Sequence, residues 1–224
     1  MITDQPSLVG IYGGTFDPIH YGHLRVAEEL ADEVNFQQII FVPSGTPRLR
    51  NTPLGSRDQR AEMVRLAIQD NPHFTVDERE IHRPGVTATV ESLREFQSES
   101  IPNRILCFIV GIDTFIHINH WIQWRELFNL CHLVVVARPG YGSISDNRTL
   151  PQEVAQELAL RRAVSADDLS KQATGLIYIA HTSLLEISAS HIRHLVGINK
   201  SIRYLLPSTI SDYITKNQLY IEKK

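Results

Sequence analysis

The sequence predicts a doubly wound α/β fold, a parallel sheet with helices on both faces, and three observations predict it. Short apolar runs alternate with stretches of helical periodicity along almost the whole chain. The first run, residues 8–12, passes through two glycines into a helical pattern with Leu24, Ala27, Leu30, Ala31 and Val34 on one face. Residues 104–110 (RILCFIV) are almost continuously apolar, as in strands covered on both sides of a parallel sheet.

The elements follow in order. Residues 38–42 (QIIFV) read as a second strand that runs into the loop PSGTPRLRNTP. Residues 58–68 are amphipathic, with Ala61, Val64, Leu66 and Ile68 apolar, and Asn71-Pro72 ends that helix. Residues 74–76 form a third strand, and DEREIHR (77–83) reads as a solvated surface run. The stretch 87–93 opens a helix with Thr89 as its N-cap. Beyond the central strand, 132–137 and 176–180 supply the fifth and sixth strands. Between these two, 143–174 is polar with one helical pattern on Val154, Leu158 and Leu160, and reads as a surface excursion. A helix over 208–216, behind Pro207, finishes the chain. With no repeat, low-complexity tract or break in composition, one domain is expected over 1–224.

Composition narrows the function. A chain 42% hydrophobic and 21% charged is an ordinary globule. Net charge −3 without a basic block argues against a nucleic-acid binder that relies on a broad positive face. The opening MITDQPS lacks the basic and apolar regions of a signal peptide, and the run 105–110 is too short to cross a bilayer. A cytoplasmic protein without membrane contact is expected. Cys107 and Cys131 lie in apolar stretches without CxxC spacing, so buried inert thiols are expected. The sequence leaves the oligomeric state open, a homo-oligomer included.

The chemistry centres on residues 13–23, GGTFDPIHYGH. Gly13 and Gly14 at a strand end allow unusual backbone angles and close approach of a ligand to the main chain. A helix starting near Tyr21-Gly22 aims its unpaired N–H groups and positive dipole end at the space above the turn, where phosphate binds well. His20 and His23 stand at the same place and can donate to phosphate oxygens. The segment has neither the G-x-G-x-x-G nor the G-x-x-x-x-G-K fingerprint. A second helix start, Ile187-Ser188-Ala189-Ser190-His191-Ile192-Arg193, repeats the device with hydroxyl caps and an arginine about one turn in. His117 and His120 are spaced for metal, but no third ligand accompanies them and no metal site is expected.

The string GGTFDPIHYGH resembles the signature of the nucleotidylyltransferase superfamily, with His20-Tyr21-Gly22-His23 as its H-x-G-H, and its longer form is similar to bacterial nicotinate-nucleotide adenylyltransferases. The resemblance continues through Gly111-Ile112-Asp113-Thr114, Trp121, Arg138-Pro139-Gly140-Tyr141 and Ile187 to Arg193. The sequence departs from the family's pattern at Leu49, where histidine is usual, at Arg48 for proline and at Ala88 for tyrosine.

The resemblance implies a Rossmann-like sheet of nucleotidylyltransferase type and transfer of AMP from ATP to nicotinate mononucleotide, giving deamido-NAD and pyrophosphate. His20, His23 and Arg193 would be catalytic. ATP would meet Gly13, Gly14, Thr15, Phe16 and the two histidines, then Gly111 and Asp113, and finally Ile187, Ser188 and Arg193. The mononucleotide would meet Asp17, Arg50, Ala88, Thr89, Trp121 and Arg138, and Mg²⁺ would accompany ATP. Open alternatives are a nicotinamide-mononucleotide enzyme, another superfamily transferase such as the pantetheine-phosphate type, and a non-catalytic nucleotide-binding regulator.

Overall fold

The computed structural model describes residues 6–46, 52–99, 101–136, 150–183 and 185–221. Six strands form one parallel sheet: β1 (Ser7–Gly14), β2 (Gln38–Pro43), β3 (Phe74–Val76), β4 (Arg104–Gly111), β5 (His132–Val136) and β6 (Ile177–Ala180). Their order is 3-2-1-4-5-6, the doubly wound order expected. β1 pairs with β2 on one side and β4 on the other, so the winding reverses between β1 and β4 and a crevice opens at their carboxyl ends.

Among the described residues the α-helices are α1 (Tyr21–Val34), α2 (Arg57–Ile68), α3 (Arg79–His82), α4 (Thr89–Ser98), α5 (Ile112–Phe115), α6 (Leu127–Leu130), α7 (Gln152–Arg161), α8 (Ala189–Gly197) and α9 (Ser208–Lys216). They cover both faces, and β4 shows why its sequence has to be apolar throughout. Ile105, Cys107 and Ile109 point into the layer built with α1, α2, α8 and α9. Leu106, Phe108 and Val110 point into the opposite layer, with α4, α6 and α7. A strand alternates its side chains, so a sheet covered twice needs apolar residues at every position. Both thiols are buried, and burial pushes Cys131 up to about 12 and Cys107 well above its ordinary value.

Three expectations need correction. Thr89 is the first helical residue of α4 rather than its cap; Ala88 occupies the cap position and makes no side-chain capping bond. DEREIHR is not a solvated run. Arg79 bonds Asp77 at 2.7 Å and Glu99 at 2.7 Å, with its guanidinium carbon 3.3 Å from the Phe96 ring centroid. Arg83 reaches Glu95 at 2.7 Å and the Ser92 hydroxyl at 3.1 Å. A guanidinium plane stacks on an aromatic face while its edge binds carboxylates, which lets charges pack α3 against α4. The stretch 143–174, described from Leu150 onward, is partly woven into the core rather than laid over it. Val154, Leu158 and Leu169 are buried, whereas Leu160 is 77% exposed.

Candidate functional site

A cleft of about 980 Å³ opens at the carboxyl ends of β1 and β4. Gly13, Gly14, Thr15 and Phe16 line it from the end of β1, and Gly111 and Asp113 from the end of β4. Ile187, Ser188 and Arg193 close one side; Ala88, Thr89 and Trp121 also line it. The sequence-predicted residues among the described positions therefore meet in one cavity. Arg50 and Arg138 lie outside the described residues.

The glycines act through space rather than through backbone angle. A Cβ on Gly14 would lie 2.7 Å from the Phe16 ring, and one on Gly13 would lie 3.2 Å from Phe108. The left-handed residue of the turn is Phe16 itself, at φ 49°. A bulky residue held there costs about 1–3 kcal/mol, a strain found mostly where function needs the conformation. Phe16 is buried, its ring 5.2 Å from that of His23 at 79°. An edge-on aromatic contact of this kind fixes the imidazole's direction.

His20 takes the N-cap position of α1 and His23 the third helical position, so the two rings stack with centroids 3.8 Å apart. The His20 main-chain N–H donates to His23 Nδ1 at 3.3 Å. An Nδ1 that accepts leaves the proton of a neutral imidazole on Nε2, the nitrogen suited to donate to an anion. Between them Gly22 makes room, because a Cβ there would lie 3.0 Å from His20 Cε1 and Nδ1. One amide of this helix start is not available to a ligand: Tyr21 N–H donates to the Leu205 carbonyl at 3.1 Å.

α8 supplies the second helix start. Ser188 caps it by accepting from His191 N–H at 3.2 Å, which leaves the hydroxyl hydrogen to donate. Arg193 donates through Nη1 to the Asp17 main-chain carbonyl at 2.7 Å. The Asp17 carboxylate accepts from Leu54 N–H at 2.8 Å, Gly55 N–H at 3.0 Å and the Tyr220 hydroxyl at 2.7 Å.

Reading the sequence missed two residues here. Arg60, on α2, is 1% exposed and donates to the carbonyls of Thr15 at 2.8 Å, Gly45 at 2.9 Å and Gly55 at 3.3 Å. Burial pulls its pKa down, and the Asp17 charge opposes that. A signal existed: Arg60 shares the helical face of Val64 and Ala67, where a guanidinium must find buried acceptors. Tyr220 had none, since it stands 203 positions from its partner. Burial and then the Asp17 charge raise its phenol, which keeps it a donor.

Among the described residues no three His, Cys, Asp or Glu side chains are grouped to hold a metal ion. His117 and His120 stack their rings 5.9 Å apart along the cleft wall. Two imidazoles alone are a poor cage for Mg²⁺, which prefers oxygen ligands.

A sheet that opens at its switch point onto two helix starts bearing phosphate donors defines a nucleotide-handling α/β protein. The family model described as cytidylyltransferase-like matches residues 11–195. A "Probable nicotinate-nucleotide adenylyltransferase" of Halorhodospira halophila is 40% identical over 212 residues, 95% of this chain and 94% of that protein. One of the same name from Yersinia pestis is 41% identical over 214 residues, 96% of each. The chain therefore belongs to the cytidylyltransferase-like family and, within it, to the nicotinate-nucleotide adenylyltransferases. A solved structure titled Plasmodium falciparum nicotinic acid mononucleotide adenylyltransferase complexed with NaAD matches with TM-score 0.68 at 22% identity, covering 96% of this chain and 97% of that one. At that identity the likeness speaks for the fold.

Proposed function

We propose that this chain transfers AMP from Mg·ATP to nicotinate mononucleotide, producing deamido-NAD and pyrophosphate. The observation that carries the proposal is the convergence of two helix starts, one with the histidine pair and one with Ser188 and Arg193, on a single cleft. The names of relatives about 40% identical over nearly the whole chain support the same reading.

Adenylyl transfer to a phosphate needs no protein nucleophile. The mononucleotide phosphate is already anionic and attacks the α-phosphorus in line, forming the new P–O bond as the bond to pyrophosphate breaks. The protein's work is to align two anions that repel one another and to hold the charge that builds up between them. His20 and His23 donate to the α- and β-phosphate oxygens, with the His23 proton on Nε2. Ser188 and Arg193 hold the leaving end, and Asp113 takes the adenosine ribose. The Mg²⁺ that arrives on the triphosphate supplies charge neutralisation.

The start of α4 decides between nicotinate and nicotinamide. Ala88 and Thr89 present a helix N-terminus to the cleft that Trp121 also lines, and a helix N-terminus favours an anion whatever its side chains. A charge-assisted hydrogen bond contributes about 1.5–3 kcal/mol, or roughly 10- to 150-fold. The expected result is a higher kcat/KM for nicotinate than for nicotinamide mononucleotide at fixed Mg·ATP, followed by pyrophosphate release. A ratio near one, or one favouring the amide, removes the substrate assignment. Release with neither compound removes the class.

A further inference from the structure

Beyond the groups that would touch substrate, we propose that Asp17 and Tyr220 are positioning residues that aim Arg193. The proposal rests on the adenylyl-transfer reading, in which Arg193 holds the leaving pyrophosphate.

The Asp17 side chain would be a poor ligand contact. It is 5% exposed, and its two oxygens already accept three of the chain's own donors. A carboxylate has about four acceptor sites and repels an approaching phosphate, so little of it remains for an anionic substrate. What Asp17 offers toward α8 is its main chain. Its carbonyl accepts Arg193 Nη1 at 2.7 Å, while its carboxylate oxygen Oδ2 stays 4.0 Å from the same nitrogen. One corner of the guanidinium is thus tethered, and Arg193 lines the cleft.

Tyr220 fixes that tether. Its hydroxyl reaches Asp17 Oδ1 at 2.7 Å from the turn after α9, with Leu219 buried beside it. Gly55 packs against the same oxygen so closely that a Cβ would lie 2.9 Å from Asp17 Oδ1. Asp17 is therefore gripped from the loop before α2 and from the turn after α9, and any shift of it moves the arginine's anchor.

The experiment is a double-mutant cycle of Tyr220→Phe, Arg193→Lys and the two combined. Melting temperature and steady-state pyrophosphate release are measured on each protein. The mononucleotide is whichever one the wild type turns over best, so a wrong substrate assignment shows in the wild type and leaves the cycle intact. Tyr220→Phe deletes one oxygen. It should fold, keep its KM for the mononucleotide nearly unchanged and lose about 10-fold in kcat, the low end for a group that orients another. The double variant should lose less than the product of the single losses, because both changes release the same tether. A purely structural tyrosine would not couple to Arg193. Wild-type turnover in Tyr220→Phe, failure of that variant to fold, or a double loss equal to or above the product would each overturn the proposal.

Discussion

A Cβ at position 22 would sit 3.0 Å from two atoms of the His20 ring, although alanine inside a helix is otherwise favoured over glycine by about 1 kcal/mol. Propensity and sterics therefore pull in opposite directions at Gly22. Gly22→Ala should leave the melting temperature almost unchanged and displace the His20 ring. Misplacing a catalytic group by an ångström costs about 10²-fold, and the ring here has to give by only a few tenths of an ångström, so kcat should fall by less than that factor. A variant that melts normally and turns over normally would show that the His20 ring keeps its place without the glycine. At this scale the histidine tetrad was legible because its spacing is local. The grip on Asp17 was not, because its donors come from Leu54, Gly55 and Tyr220, and no local pattern announces them.

Helices were legible from their apolar stripes, but the stripes say little about the charges on them. α2 carries Arg60 into the interior, where three carbonyls from two connections, the β1–α1 turn and the stretch between β2 and α2, accept from it. Truncating one member of a buried charged cluster costs about 3–5 kcal/mol, since acceptors and the opposite charge are left behind. Arg60→Ala should lose about that much in urea or thermal unfolding, with wild-type stability as the contrary result. α3 was misread for a related reason. Its charges look solvated by composition, yet Phe96 and the acidic side chains of α4 give them a packed surface. The start of α4 was placed to within one residue, as sequence cues for caps allow.

The whole sheet could be read from the alternation of strands and helices, and its order, with the crevice beside β1 and β4, is the one such folds adopt. Less visible was the role of His132, which is buried on β5. It accepts from Leu176 N–H through Nδ1 at 2.9 Å and lies 3.0 Å from the Gln172 carbonyl through Nε2. Burial lowers its pKa, so the unfolded chain takes up a proton first as pH falls. Stability from this group is complete above the unfolded value of about 6.5 and is lost from there down to the lower folded value. Melting temperatures between pH 8 and pH 5 should decline over that window, and His132→Asn should flatten the decline. An equal slope in both proteins would assign the acid sensitivity elsewhere.

The bond between Tyr220 and Asp17 spans 203 positions of the chain. Domains made on a ribosome generally fold as units, once the segments that pair with one another have all been synthesised. β1 waits for β4 to pair with it, and the tether that aims Arg193 has no second end until residue 220 has been translated. A nascent chain halted before residue 220 therefore lacks one end of the tether that aims the arginine, so the cleft is completed only after synthesis has passed that residue.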